Sequence, residues 1–293
     1  MLFRCVLFLL MSSASATPQL TWLQTDWPPH QIVSGPFQGQ GTFDLLQQQL
    51  TAAMPQFQHR NKLVNLARLE QAFMQQEPAL CSLGTLYSEQ RAQSRLFSLP
   101  MAIGPALAVG YLAGKLNTHP AMQANGVDMQ KLALDQKLRG AYQPNRLYPD
   151  SVKTLFGHPQ TNLTSHTFTS EVNATALLAG NRVDYVVEYP ERMQYYNQLL
   201  SQAATLEHRA IIGANTASVS YISCSKDETG QAAISALNQL LPLMWQQAEY
   251  QQAMQRWLDD SARQRLSTEL ALVQQQVLMQ LKPRPHDTID AGY

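Results

Sequence analysis

Apolar and polar residues alternate from Leu20 to Gln24, which predicts a first strand. The chain then enters Asp26-Trp27-Pro28-Pro29-His30, where two prolines exclude both a helix and a central strand. Gly35 to Gly41 reads as a turn. From Phe43 and Asp44 the period becomes helical, with Leu46, Leu50 and Met54 on one face and Pro55 as the stop. A second strand is predicted over Lys62 to Leu66. The next helix turns Leu69 and Phe73 inward and ends near Pro78. Ala79 to Leu86 is a short, apolar, buried strand. Strand, helix, strand, helix, strand in this order predicts an α/β half-domain with mainly parallel pairing. Ligands in such sheets sit beyond the carboxyl ends of the strands.

The pattern changes after Pro100. Ile103 to Leu112 is an extended apolar segment interrupted by glycine and proline, suited to crossing between two lobes. Leu138 to Tyr142 predicts a strand, Asn145 to Tyr148 a turn, and Asp150 to Phe156 a helix. Thr167-Phe168 opens another strand–helix pair, with Ser170 as N-cap and Gly180 as the stop. Arg182 to Glu188 reads as a strand ending in an acid, a phenol (Tyr189) and Pro190. Ser218 to Ser225 alternates as the return crossing. Three helical stripes follow: Ile234, Leu237, Leu241 and Met244; then Met254, Trp257 and Leu258; then Leu266, Leu270, Val273, Val277 and Leu281. Such stripes are core faces.

Residues 1–16 stand apart. Arg4, the apolar run Val6 to Met11 and the small residues Ala14-Ser-Ala16 have the form of a cleaved secretory signal peptide, which places the mature chain in the periplasm. Twenty-one basic residues balance twenty-one acidic ones, and charged residues are 14% of the chain, so no basic stripe for nucleic acid or polybasic membrane patch is expected. Beyond the leader the cysteines are Cys81 and Cys224, and in an oxidising compartment an isolated pair reads as a disulfide. The seven histidines are scattered without ligand spacing, so neither a metal nor a cofactor is expected. Asn162-Leu-Thr and Asn173-Ala-Thr fit the glycosylation acceptor pattern.

Three places carry candidate chemistry. Ser88, followed by Glu89 and Gln90, is an N-cap just past a strand, and it leaves free backbone N–H groups and the Arg91 guanidinium at one corner. A planar donor fork there fits a carboxylate, although Arg91 is equally able to form an ordinary ion pair. Trp27, at a rigid strand exit, is either an aromatic wall for a ligand or a plug for the core. Glu188 either meets a cation across the cleft or pairs with Arg182 or Arg192.

The order of these residues resembles the bacterial extracellular solute-binding proteins of family 3, the amino-acid type of periplasmic binding protein. Trp27-Pro28-Pro29-His30 resembles the family's aromatic-Pro-Pro-Phe strand exit, and Gly41-Thr-Phe-Asp44-Leu-Leu its first helix start. Ser88-Glu-Gln-Arg91 before Phe97-Ser98-Leu-Pro100 resembles its Thr-Pro-Glu-Arg…Phe-Ser-x-Pro segment. Gly180-Asn-Arg-Val-Asp184 resembles its Gly-Arg-x-Asp.

The resemblance implies an α/β, two-lobed clamshell with two crossing hinge strands. Lobe one would span 17–102 and 222–282, lobe two 103–221, and 283–293 would form a flexible tail. It also implies that Arg91 holds a ligand carboxylate with Ser88 beside it, and that Trp27 lies next to the aromatic position that covers the ligand side chain. Thr85 stands next to Leu86, where many members have a second Thr. Tyr189, with Glu188 adjacent, stands where they place an Asp, and the turn at Asn145 replaces a small-residue helix start. Trp27, Thr85, Ser88, Arg91, Asn145, Glu188 and Tyr189 are thus the expected ligand-binding set. Cys81 and Cys224 would fall on neighbouring strands of lobe one.

The implied protein is a non-enzymatic, monomeric binder of a small carboxylate-bearing molecule, serving an ABC permease or a membrane sensor. The alternatives are a lyase or dehydratase on the same scaffold, using Glu188 or His30, and a ligand-free clamshell used for protein contact.

Overall fold

The computed structural model describes residues 17–169 and 172–281. The expected signal peptide (1–16), the expected cap Ser170 and the expected tail (283–293) lie outside the described residues.

The first stretch runs β1 (Gln19–Gln24), α1 (Thr42–Ala52), β2 (Gln58–Leu63), α2 (Leu66–Met74), β3 (Leu80–Thr85), α3 (Glu89–Ala92) and β4 (Leu96–Pro105). The middle runs β5 (Ala108–Leu112), β6 (Met122–Gln123), β7 (Gly126–Val127), α4 (Met129–Ala133), β8 (Gly140–Tyr142), α5 (Asp150–Lys153), β9 (Leu163–Ser165), α6 (Ala174–Ala179), β10 (Tyr185–Glu188), α7 (Pro190–Gln198) and β11 (Leu206–Ala210). The chain returns through β12 (Ala217–Cys224) to α8 (Glu228–Met244), α9 (Ala248–Gln255) and α10 (Asp260–Leu278).

These strands form two five-stranded sheets, ordered β2-β1-β3-β12-β4 and β11-β5-β10-β8-β9. In the first, β1 is parallel to β2 and β3, while β12 runs antiparallel between β3 and β4. In the second, β8 is parallel to β9 and β10, and β5 is antiparallel to β10 and β11. Each sheet is the centre of one lobe. β4 and β12 connect them, paired as Ala217 with Pro105 and Ser218 with Gly104, with register shifts around Tyr221.

Helical stripes cover the first sheet. Leu46 and Leu50 of α1 meet Leu237 and Leu241 of α8, together with Trp245 and Tyr250, in one buried cluster. The two large aromatics satisfy their polar tips on β4, Trp245 Nε1 donating to Pro100 O (2.8 Å) and the Tyr250 hydroxyl to Met101 O (3.0 Å). This packing fixes where β4 leaves the first lobe. A second cluster, including Val109, Tyr111, Tyr185 and Val187, fills the other lobe.

Several predicted boundaries shift. β2 lies earlier than Lys62 to Leu66, because the Asn65 side chain accepts from Arg68 N (2.8 Å) and caps α2, drawing Leu66 into the helix. β2 is an edge strand with most of its residues exposed, so no alternation marks it. The segment Ile103 to Leu112 is two strands rather than one crossing, because β4 pairs with β12 and β5 with β10 and β11. The strand expected at Thr167 lies at Leu163–Ser165, and the following helix is capped by Asn173, whose side chain accepts from Ala176 N (2.9 Å). Trp257 and Leu258 lie beyond the end of α9.

Cys81 on β3 and Cys224 on β12 are directly paired in register and form a disulfide. The bridge spans 143 residues of chain and so removes much freedom from the unfolded state. Replacing both cysteines with alanine is expected to lower the unfolding free energy by about 3–5 kcal/mol. Urea titration reads this as a lower midpoint, and a reductant should then have no further effect on the variant.

Candidate functional site

Between the lobes lies a cavity of about 100 Å³. Its walls include the β1 exit loop, the carboxyl end of β3, the crossing strands β4 and β12, and the turn at Asn145. The volume suits a solute of a few heavy atoms, well below the ~300–1,000 Å³ of drug-sized sites.

At the end of β3, Gly84 adopts φ +76, and a Cβ there would sit 2.2 Å from the Phe43 ring. Only glycine allows this approach. The chain then turns at Ser88, whose hydroxyl accepts from Arg91 N (3.2 Å) and caps α3. Ser88 is therefore committed to the helix start and is not on the cavity wall. Thr85 is on the wall, with its hydroxyl 2.9 Å from that of Ser223.

Arg91 lines the cavity, donating through Nη1 to Leu86 O (3.1 Å) and through Nη2 to Glu70 Oε1 (2.8 Å). The other Glu70 oxygen accepts from Arg95 Nη2 (2.6 Å). Arg95 is 1% exposed, lies over the Phe73 ring, and has Nε and Nη1 without partners among the described residues. Burial pushes its pKa down, partly offset by Glu70. Two guanidiniums thus share one carboxylate, leaving this corner one positive charge in excess. The ion pair weighed for Arg91 exists, and it stands beside a cavity.

The second lobe repeats the arrangement. Glu188 ends β10 at 2% exposure, its Oε1 accepting from Arg146 Nη1 (2.5 Å) and from Tyr189 N (2.8 Å). Arg192 Nε lies 3.4 Å from its other oxygen. Burial raises the Glu188 pKa, but Arg146 first and Arg192 second outweigh this and hold the carboxyl below its usual range. The cation-facing role weighed for Glu188 is thus filled from within the chain, by Arg146 as well as Arg192. Its side chain is not on the cavity wall. Tyr189 is on the wall, as is Asn145, whose φ of +64 turns the chain so that Arg146 follows inward.

Trp27 joins the halves. Arg146 and Arg192 lie 4.5 and 4.9 Å from its ring centroid, and Arg192 Nη1 donates to Pro28 O (2.7 Å). The ring packs on the second lobe's core, as the plug role has it, and it also lines the cavity. His30 Nε2 adds a contact to Glu191 Oε1 at 3.2 Å. Gln31, Glu70, Arg146 and Glu191 escaped prediction, since their partners are distant in sequence or their neighbours carry no periodic signal. Among the described residues no cluster of His, Cys, Asp and Glu could hold a metal, and no helix is long and apolar enough to cross a membrane.

No protein-family model matches the chain, and no curated protein does. Solved structures do. A histidine kinase sensor domain with similarity to periplasmic binding proteins is 16% identical with a TM-score of 0.61, over 82% of this chain and 96% of its own. A putative L-cystine ABC transporter from Listeria monocytogenes is 13% identical with a TM-score of 0.64, over 84% and 98%. An ancestral amino-acid-binding protein, AncCDT-1, a precursor of cyclohexadienyl dehydratase, is 13% identical with a TM-score of 0.61, over 83% and 96%. At these identities the likeness establishes the fold: a two-lobed, periplasmic-binding-protein-like α/β clamshell.

The depressed pKa of Glu188 has a stability consequence. Its contribution is complete above the unfolded value, about 4.3, and is lost as pH falls through the lower folded value. Glu188→Gln leaves Arg146 and Arg192 buried without their counter-charge and should cost about 3–5 kcal/mol at neutral pH. Thermal melts from pH 7 to pH 3 should show the wild type losing more stability than the variant. Parallel curves would contradict the assignment.

Proposed function

We propose that this chain is a periplasmic solute-binding protein that captures a small carboxylate-bearing molecule between its lobes. The observation that carries this is the charge around the cavity. Arg91 on the wall and Arg95 behind it share the single carboxylate of Glu70, which leaves that corner one positive charge in excess. A monoanion restores balance in a site where uncompensated charge is costly. Arg91 is the anchor: it has five N–H donors, and Leu86 and Glu70 take one each.

Closure follows from contacts on both sides. Lobe one (17–102 and 222–282) brings Trp27, Thr85 and Arg91, lobe two (103–221) brings Asn145 and Tyr189, and a solute touching both favours the closed arrangement over the open one. β4 and β12 are the hinge. The similar structures include a transporter component and a sensor domain, and the same capture serves an ABC importer or a membrane sensor. One contact favours a second role: His30, on the cavity wall and oriented by Glu191, has the form of a general acid–base pair for a lyase or dehydratase. Consumption of a small acid by the purified protein would support that role, and binding without turnover the first.

Isothermal titration with small carboxylates separates the assignments. Arg91→Ala is expected to weaken binding about 10–100-fold, the worth of a charged hydrogen bond. Glu70→Gln, which removes the competing carboxylate, is expected to strengthen it at low salt. Unchanged affinity in both variants would exclude Arg91 as the anchor.

A further inference from the structure

Helix α7 (Pro190–Gln198) is polar in sequence, yet its Glu191, Arg192, Tyr195 and Tyr196 are each 5% exposed or less. Helical spacing sets Glu191 beside Tyr195 and Arg192 beside Tyr196, so the four share one side. Met193 instead packs in a cluster of the second lobe's own residues. The other side of α7 meets the first lobe. Tyr195 lies edge-on to Phe37 and Trp257, with ring centroids 6.2 and 5.4 Å away. Tyr196 shares a buried cluster with Ile32. Arg192 donates to Pro28 O (2.7 Å), lies over the Trp27 ring and is drawn by Asp26. Glu191 Oε1 is 3.2 Å from His30 Nε2.

The first lobe's side of this seam is held in shape by its own bonds. Asp44 Oδ2, in α1, accepts from Ile32 N (2.9 Å) and Gly41 N (3.0 Å), which ties both ends of the 32–41 loop. Gly39 N donates to Ile32 O (2.9 Å). Trp257 Nε1 donates to Gln40 O (3.0 Å), which keeps its ring against that of Phe37. The surface that receives α7 is therefore pre-organised, and little freedom is lost on contact. Phe37, Tyr195 and Tyr196 do not line the cavity, so their contacts need no solute. Parting the lobes would bare these rings and Ile32 to water, which the hydrophobic effect opposes.

We infer that this clasp of α7 on the β1 exit loop holds the lobes shut before a solute arrives. Opening, not closure, is then the step that admits the solute, and release of α7 is its gate. The solute reinforces a closure that the chain already makes. The inference goes beyond the capture proposed above and does not depend on what the solute is.

Small-angle X-ray scattering of the intact protein tests this, after unfolding in urea, dialysis and refolding have removed carried-over solute. The wild type is expected to scatter as the closed structure does, and to contract no further with propionate, lactate or alanine. Tyr195→Ala and Phe37→Ala, both off the cavity wall, are expected to give a larger radius of gyration. Tyr195→Phe keeps the ring and should stay compact, which separates a lost contact from a damaged helix. The wild-type curve decides the matter even where an alanine variant fails to fold. A solute-free wild type wider than the closed structure overturns the clasp, and contraction on adding an acid would then leave carboxylate capture standing. Folded alanine variants as compact as the wild type overturn it too. A compact wild type that binds none of the acids by titration upholds the clasp and counts against carboxylate capture.

Discussion

Glu188 lies beneath the second lobe's surface with a guanidinium on either side, and removal of either partner would strand a charge away from water. Breaking such a buried group costs about 3–5 kcal/mol, a large part of the 5–15 kcal/mol that holds a typical domain folded. Because the same two guanidiniums face the Trp27 ring, the requirement that buried charge be paired also sets how the β1 exit meets the other lobe. Arg192 strengthens this link through its hydrogen bond to Pro28 O. The apolar clusters make each lobe solid, and the placement of one against the other rests on these polar contacts together with the packing of Ile32, Phe37 and Trp257 against Tyr195 and Tyr196.

The first lobe solves the same problem with Glu70 between Arg91 and Arg95. The two sites are unrelated in sequence yet alike in charge, each with one carboxylate between two guanidiniums. Had each arginine its own acid, the cleft would carry no net charge to draw an anion in. Sharing keeps every guanidinium partnered while leaving a net field. Glu191 reduces that field on the second lobe's side, so the excess is concentrated near Arg91.

Much of the scaffold was legible in local pattern. Alternation marked β1 and β12, helical spacing marked α1 and α8, and the Ser-Glu-Gln order marked the cap before Arg91. The cysteine pair was legible from compartment chemistry. Local pattern failed at β2, an exposed edge strand with little burial to imprint a period. The site was less legible for a different reason. Glu70 and Arg91 are 21 residues apart, Arg146 and Glu188 42, and His30 and Glu191 161. Pairings across such distances exist only once the lobes have packed, and no short-range rule encodes them. Residue chemistry singled out Arg91 and Trp27, which line the cavity, but it also drew attention to Ser88 and Glu188, which serve the backbone and the ion cluster.

The strand order carries a consequence for how the chain is made. β12 lies between β3 and β4 in the first sheet, yet it is synthesised only after the whole of the second lobe. Until Ala217–Cys224 emerges, the nascent sheet has a strand-wide gap, and the facing borders of β3 and β4 offer unmet amide and carbonyl groups to any extended segment nearby. The second lobe, by contrast, has all five strands of its sheet by then. The inserted half can therefore complete its sheet while the first lobe still waits for its central strand.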